Sequence, residues 1–126
     1  GAWGVNAEMV GGRMDNTQIF AVAAGHETAA LIPRGADWNW DDSGTDLGTA
    51  WRETSYADDG WPTGPAPFGY GDGDEASLLD YGPNSSNKHP CYYLRHRFAA
   101  PGLAPTAEVL GRVLRDDGCV VYVNGQ

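Results

Sequence analysis

Glycine and proline interrupt this chain so often that long helices are excluded. The 126 residues contain 18 glycines and 8 prolines, and stretches rich in Asp, Ser, Thr and Asn separate short apolar runs. Short apolar runs bounded by turn-forming residues are typical of β-strands, whereas a helix needs a longer stretch with helical periodicity. Aromatic residues make up 11% of the sequence, enough to argue against disorder. The sequence therefore predicts an all-β protein.

The acidic composition limits the partners that the protein can bind. The formal net charge is −9, and Lys88 is the only lysine. Such a surface repels nucleic acid phosphates and anionic membranes, so we expect neither as a partner. The sequence also lacks an 18-residue apolar run that could span a membrane. An acidic, lysine-poor surface suits an extracellular or salt-exposed protein, and we expect the protein to be secreted.

Residues 1–31 have a pattern of their own. A turn at Gly11-Gly12 leads into a predicted strand from Thr17 to Ala23. The Ala-rich stretch from Ala23 to Leu31 predicts one or two helical turns, which Pro33 ends. Six residues resemble the closing strand of concanavalin-like, laminin-G-type lectin domains: Gly12, Met14, Asp15, Asn16, Ile19 and Phe20. The alternative is an ordinary N-terminal strand.

Further strands are predicted in residues 32–126. Ile32 to Trp40 is a short strand that places Trp38 and Trp40 on one face, and a long polar loop from Asp72 to Pro90 follows later. In the next strand, Tyr92, Leu94, His96 and Phe98 alternate with Cys91, Tyr93, Arg95 and Arg97, so the two sets face opposite sides.

The C-terminal residues predict two strands and two turns. Glu108 to Leu114 is one strand, Asp116-Asp117-Gly118 is a turn, and Cys119 to Val123 is the next strand. Asn124-Gly125 is the strongest two-residue hairpin signal in the chain.

Several motifs after Leu31 resemble a known module. They are Gly48-Thr49-Ala50-Trp51-Arg52, Asp58-Asp59-Gly60-Trp61, the Gly64 to Asp74 run, Tyr92-Tyr93-Leu94-Arg95 and the Arg115 to Gly125 run. Together they resemble the galactose-binding-like module of secreted multidomain bacterial proteins.

The resemblance implies an antiparallel β-sandwich with a jelly-roll topology over residues 32–126. It also implies that residues 1–31 are the tail of a preceding lectin-like domain. The family pattern continues beyond Asn124-Gly125 with further strands, so we expect this jelly roll to be incomplete and the chain to be a fragment of a longer protein.

Carbohydrate binding is the leading functional hypothesis. Exposed aromatic rings stack on the C–H faces of sugars while polar side chains bond the hydroxyls, and the candidate ligand-binding residues are Trp40, Tyr70, Tyr81 and Arg95. Trp38, Trp51 and Trp61 are predicted to lie in the core instead. The alternative is a structural or spacer domain attached to a phosphoesterase, nuclease or glycosidase on the same parent chain.

Acidic residues on Gly-rich turns could bind structural calcium. The candidates are Asp41, Asp42, Asp46, Asp72, Asp74, Glu75 and Asp80, of which Asp72, Asp74 and Glu75 are the strongest. The alternative is that these carboxylates cap turns through nearby backbone amides. No Gly-x-Ser-x-Gly elbow, phosphate loop or zinc signature is present in the sequence, so we expect a non-catalytic protein.

Two features concern how the chain closes on itself. Cys91 and Cys119 permit one disulfide, and two buried thiols are the equal alternative. The predicted strand from Cys119 to Val123 lacks a partner strand after it. We expect either the Thr17 to Ala23 strand or a second copy of the chain, in a strand-mediated homodimer, to cover that edge.

Overall fold

The protein is strand-dominated, as the sequence predicts. A computed structural model describes the backbone of residues 2–22, 28–99 and 108–126, and the side chains of residues 31–99, 111–115 and 118–126. Within these residues the strands are β1 (Ala2–Val22), β2 (Thr28–Ile32), β3 (Asp37–Asp41), β4 (Thr63–Pro65), β5 (Phe68–Gly69), β6 (Ser77–Leu78), β7 (Tyr92–Ala99) and β8 (Glu108–Val123). A single-turn 3-10 helix covers Ala50–Arg52. The described strands belong to one sheet, antiparallel except where β5 meets β6.

Strand β1 is the centre of this sheet. One of its edges pairs with β7, β5 and β2 in turn, and its other edge pairs with β8. β3 continues the sheet beyond β7, and β4 follows β3. The segment before Leu31 is therefore hydrogen-bonded to strands from the rest of the chain, and the two regions share one sheet.

Two details of the N-terminal segment differ from the prediction. Gly11 and Gly12 lie inside β1 and not at a turn, since β1 begins at Ala2. Thr28 to Leu31 belong to strand β2 and not to a helix, because pairing with β1 overrides the weak helical preference of an Ala-rich stretch. Residues 23–27, which complete the predicted helical turns and the end of the predicted strand, lie outside the described residues.

Strand β8 is continuous where a turn at Asp116-Asp117-Gly118 is predicted. Its pairing with β1 steps from Gly118 to Asp116 while β1 steps from Val10 to Arg13. β1 thus contains one extra residue at Gly11-Gly12, as in a β-bulge. Because the extra residue lies in β1, β8 continues as a strand through Asp116-Asp117-Gly118, although this sequence favours a turn.

The N-terminal segment covers the edge of β8 within the same chain. Cys119 pairs with Met9, and Val123 pairs with Val5. The Thr17 to Ala23 region was the expected partner, but its described part pairs with residues 108–112 of β8 and with β2. Among the described residues, no strand pairs with the second edge of β8. A homodimer formed through that edge remains a prediction.

Strand β7 is buried on both faces, with the alternation that the sequence predicts. Its first face contributes Tyr92, Leu94 and Phe98 to the main core. The other buried residues of that core are Ile32, Trp38, Ala66, Phe68 and Leu79. Burial of aromatic and branched side chains is the main stabilising term for such a small sheet.

The second face of β7 is covered by residues 48–61. The Trp51 ring lies 4.9 Å from the Tyr93 ring, and Arg95 reaches Asp58. The core positions predicted for Trp38 and Trp51 are confirmed, since each is 1% exposed. Trp61 is only half-buried, against Tyr56.

The hairpin turn predicted at Asn124-Gly125 is present. Asn124 has a φ of 52° and Gly125 a φ of 83°, as a type I′ turn requires at its two central positions. Val123 and Gln126 exchange two backbone hydrogen bonds of 3.0 and 3.1 Å. Among the described residues, no helix is long and apolar enough to cross a membrane.

Candidate functional site

Two of the predicted sugar-binding residues lie side by side at a loop surface. Tyr70 directly follows β5, and Tyr81 lies in the loop after β6. Their ring centroids are 5.3 Å apart in an edge-to-face arrangement. Tyr81 is 36% exposed, whereas Tyr70 is half-buried and lies 6.2 Å from the Tyr92 ring behind it. Tyr70 and Tyr81, named the tyrosine pair below, form an aromatic corner with one ring open to solvent.

Lys88 places its ammonium group over the tyrosine pair. Its Nζ atom lies 4.8 Å from the centroid of the Tyr70 ring and 5.3 Å from that of Tyr81. Both distances are within the range of a cation–π interaction. The exposed lysine in the 80–90 loop therefore contacts both rings of the corner.

Two carboxylates adjoin the same loop. Asp42, which follows β3, accepts a hydrogen bond at Oδ2 from the Asp80 backbone N–H at 2.8 Å. Asp80 Oδ1 in turn accepts from the Gly82 N–H at 2.7 Å. The Asp42 carboxylate therefore connects the segment after β3 to the start of the loop that carries Tyr81. The Asp80 carboxylate stabilises the turn within that loop.

The Tyr92 hydroxyl lies beneath this surface. Tyr92 is fully buried, and its hydroxyl makes no hydrogen bond. Burial raises the pKa of Tyr92, and the neighbouring Tyr70 phenol and the carboxylates of Asp42 and Asp80 raise it further. Tyr70 is thus close enough to affect this pKa, but the two phenol groups lack the geometry of a hydrogen bond. The hydroxyl is thus neutral and enclosed beneath the tyrosine pair, out of contact with solvent.

His89 packs the loop that carries Tyr81 against the loop that follows β3 and contains Asp42 and Gly44. Its backbone N–H donates to the Tyr81 carbonyl at 3.0 Å. Its ring lies between Gly44 and Gly82, whose φ angles are 78° and 95°. A Cβ atom at Gly44 would overlap His89 Nδ1, and one at Gly82 would lie 2.8 Å from His89 Cε1. Glycine is therefore needed at both positions for the ring to fit, and the fit fixes the loop that carries Tyr81.

Arg95 does not belong to this surface. The residue is 2% exposed, its Nε donates to Asp58 Oδ2 at 2.8 Å, and its guanidinium also donates to the carbonyls of Trp51 and Glu53. These partners leave the side chain unavailable to a ligand, so the predicted binding role of Arg95 does not fit the structure. Arg95 faces the loop layer because it lies on the second face of β7, and the sequence does not reveal that this face is covered.

Trp40 is the fourth predicted sugar-binding residue. It is half-buried and makes an edge contact with Phe68, with ring centroids 5.4 Å apart. It packs against the main core and does not contribute to the tyrosine pair. The structure thus brings together Tyr70 and Tyr81, and it places Trp40 and Arg95 elsewhere.

The three strongest calcium candidates do lie together. Carboxylate oxygens of Asp72, Asp74 and Glu75 all fall within 4.8 Å of one another. Glu75 also accepts hydrogen bonds from the backbone N–H groups of Asp72 and Gly73, at 2.8 and 3.0 Å. Glu75 therefore performs the turn-capping role that was the alternative to metal binding. Calcium binding by this cluster remains a prediction.

Neither Cys91 nor Cys119 forms a disulfide. Met9 of β1 pairs with Tyr92 on one side and with Cys119 on the other, so β1 separates the two cysteine-bearing segments. Strands two positions apart in a sheet lie about 9–10 Å apart, beyond the Cα separation of a disulfide. The predicted disulfide alternative therefore does not occur, because β1 lies between β7 and β8. The sequence alone does not reveal this insertion of β1.

A small open cleft lies near Cys91. Its volume is about 210 Å³, and it is lined by Gly44, Thr45, Asp46, Pro90, Cys91 and Tyr93. Pockets that bind small molecules usually enclose about 300–1,000 Å³. This cleft is smaller than that range and contains no predicted sugar-binding residue, so the tyrosine pair is the stronger candidate site.

Sequence reasoning missed the contributions of Lys88 and Tyr92 to the site. Tyr92 was assigned only to a strand face, and Lys88 only to the charge of the surface. The available signal for Lys88 was its position as the one lysine in a long polar loop, seven residues after Tyr81.

A comparison with known protein families, curated proteins and solved structures found no match to this chain.

Proposed function

We propose that this protein is a non-catalytic carbohydrate-binding module and that a sugar stacks on the tyrosine pair. The observation that supports this proposal is the pairing of an exposed Tyr81 ring with Tyr70 beside charged groups. A sugar presents an apolar C–H face and a rim of hydroxyls. The exposed Tyr81 ring offers a contact for the first, and the adjacent Asp80 carboxylate offers one for the second.

The proposal includes the galactose-binding-like jelly roll for residues 32–126, in a secreted bacterial protein. Two of the motifs behind that resemblance meet in the structure, since Asp58 of one motif pairs with Arg95 of another. Trp51 of a third motif lies against Tyr93. These contacts support a framework role for Trp51, Asp58 and Arg95 and leave the tyrosine pair as the ligand-facing part.

A spacer domain attached to an enzyme is the second candidate. The same burial of Trp51, Asp58 and Arg95 favours it, because the most distinctive residues of the sequence then serve stability alone. The two candidates differ in whether the exposed tyrosine surface has a ligand.

A glycan array probed with the whole chain, with and without calcium, tests the proposal. We expect binding to a defined set of saccharides, loss of that binding in Tyr81→Leu, and its retention in Tyr81→Phe. Leucine keeps an apolar side chain but removes the flat ring, whereas phenylalanine keeps the ring. Matching thermal melting curves would show that both variants fold. If the wild-type chain binds no saccharide on the array, the spacer function is the better account.

A further inference from the structure

The tyrosine pair already holds an ammonium group. Lys88 Nζ is within 5.3 Å of both ring centroids, although the side chain is exposed and could extend into solvent. The faces of aromatic rings carry negative potential and attract cations. The corner formed by Tyr70 and Tyr81 is therefore shaped to contact one positive charge with two rings.

The surroundings of the corner also favour a cation. Asp42 and Asp80 are joined by a hydrogen bond next to the Tyr81 loop, and both contribute to the electrostatic field at Tyr92. The chain as a whole is acidic, with a formal net charge of −9. The site therefore attracts positive ligands and repels anionic ones.

We propose that the tyrosine pair recognises a saccharide with free amino groups, whose ammonium displaces that of Lys88 from the two rings. The inference rests on the proposed carbohydrate-binding function and names the class of sugar. A neutral sugar gains only the ring contact. An amino sugar gains the ring contact, the cation–π interaction and the attraction of Asp42 and Asp80. A uronic acid is repelled by those carboxylates.

Lys88 acts in this proposal as an internal competitor. Its ammonium occupies the rings until a ligand ammonium replaces it, so free ligand must overcome that contact. Replacement of Lys88 by methionine keeps an unbranched, flexible side chain and removes the charge. Replacement by arginine keeps a cation that can still cover the rings. The methionine variant should therefore bind the amino sugar more tightly, and the arginine variant should not.

Titration calorimetry of the whole chain with three oligosaccharides tests the inference. The probes are a glucosamine oligomer with protonated amines, its N-acetylated counterpart and an oligogalacturonate. We expect the wild type to bind the glucosamine oligomer about tenfold more tightly than the N-acetylated one. We expect Lys88→Met to strengthen that binding about threefold and Lys88→Arg to leave it within twofold. Added salt should reduce the preference, because exposed charges are screened.

A second pair of variants separates local charge from total charge. Asp80→Asn keeps an oxygen that can accept the Gly82 N–H and removes the negative charge, so it should reduce the preference for the free amine at least threefold. Asp59→Asn removes an exposed carboxylate next to Asp58, on the opposite face of β7, and should leave the preference unchanged.

The possible failures are distinguishable. Equal or tighter binding of the N-acetylated or the acidic oligomer would overturn the amino-sugar inference and leave carbohydrate binding intact. Weaker amine binding in Lys88→Met would likewise overturn it, since Lys88 would then assist the ligand. If none of the three oligosaccharides binds and the glycan array also shows no ligand, the proposed function itself fails.

Discussion

Arg95 and Asp58 form a buried ion pair across the second face of β7. Their Nε and Oδ2 atoms are 2.8 Å apart, and the side chains are 2% and 3% exposed. Arg97 Nη1 binds the other oxygen of the same carboxylate at 2.8 Å, but the Arg97 side chain is 45% exposed. Asp58 thereby attaches the 48–61 loop layer to the sheet through two arginines of one strand.

Removing the buried arginine should be far more costly than removing the exposed one. Arg95→Met removes a fully buried donor to Asp58 and also leaves the carbonyls of Trp51 and Glu53 without it, so we expect it to lower the free energy of unfolding by about 3–5 kcal/mol. Arg97→Met is the matched control and should cost about 0–1 kcal/mol, as for partly exposed pairs. Urea denaturation of the three proteins measures both values. Equal losses for the two variants would contradict a special role for Arg95.

Asp58 also makes stability depend on acid pH. Burial alone would raise the pKa of Asp58, but its hydrogen bonds to Arg97 and Arg95 and their charges outweigh that effect and lower the pKa below 3.8. A carboxyl whose pKa is lower in the folded state contributes stability above its unfolded pKa, and the contribution is lost as pH falls through the folded pKa.

The difference in unfolding free energy between the wild type and Asp58→Asn isolates this contribution. We expect the difference to be constant above about pH 5 and to shrink below about pH 4, where the unfolded carboxyl takes up its proton. Urea titrations at several pH values measure it. A difference that grows as the pH falls would show that the pKa is raised and not lowered.

Gly44 should resist substitution because of His89. Gly44→Ala places a Cβ atom at a φ of 78° and against the His89 ring, whereas Gly35→Ala has a φ of 80° and open space around the new atom. We expect Gly35→Ala to cost about 1 kcal/mol from backbone strain. Gly44→Ala should cost about 1–3 kcal/mol more because of overpacking.

The double variant Gly44→Ala/His89→Ala tests whether the ring is the cause. Removing the imidazole should relieve the overlap, so alanine at position 44 should then cost no more than alanine at position 35. Thermal or urea denaturation of the full cycle provides the coupling energy. Additive losses would show that His89 is not what excludes a side chain at Gly44.

The thiol of Cys119 should react slowly in the folded protein. Burial raises the pKa of Cys119, and the nearby charge of Arg115 opposes this shift only in part. A raised pKa means less thiolate at a given pH, so alkylation of Cys119 in the folded protein should be slow near pH 8 and should accelerate as the pH rises. Mass spectrometry of alkylated peptides measures the rate. Recovery of a peptide that links Cys91 to Cys119 would contradict the placement of β1 between them.

Local signals in the sequence predicted local structure well. The alternation in β7 and the Asn124-Gly125 turn both appear, because each depends on backbone preferences within a few residues. Gly11-Gly12 and Asp116-Asp117-Gly118 also predict turns, yet both lie within paired strands. Long-range pairing between β1 and β8 supplies more hydrogen bonds than either turn would, and that pairing is invisible in a short window of sequence.

The candidate site was predictable only in part for a related reason. Tyr70 and Tyr81 could be identified as aromatic residues in loops, since loops lie at the surface. Arg95 was misassigned because its strand face is covered by the 48–61 loop layer, which the sequence gives no reason to place there. Lys88 and Tyr92 both contact Tyr70, which is distant from them in sequence. These contacts form only when the chain folds, so local sequence patterns do not predict them.

The central position of β1 leads to the last prediction. Deleting residues 1–22 would remove the strand that pairs with β2, β5, β7 and β8, and it would leave β8 without a partner strand among residues 28–99 and 108–126. Exposed apolar side chains at Leu114, Val120 and Val121 would then lie on an open strand that can pair with other chains. We expect the truncated protein to lose cooperative unfolding and to aggregate. Circular dichroism during urea unfolding, together with sedimentation velocity, measures both effects.

A synthetic peptide of residues 2–22, added in trans, should partly restore the monomeric fold, whereas a scrambled peptide of the same composition should not. A truncated chain that stays monomeric with an unchanged unfolding midpoint would show that β1 is dispensable to the sheet.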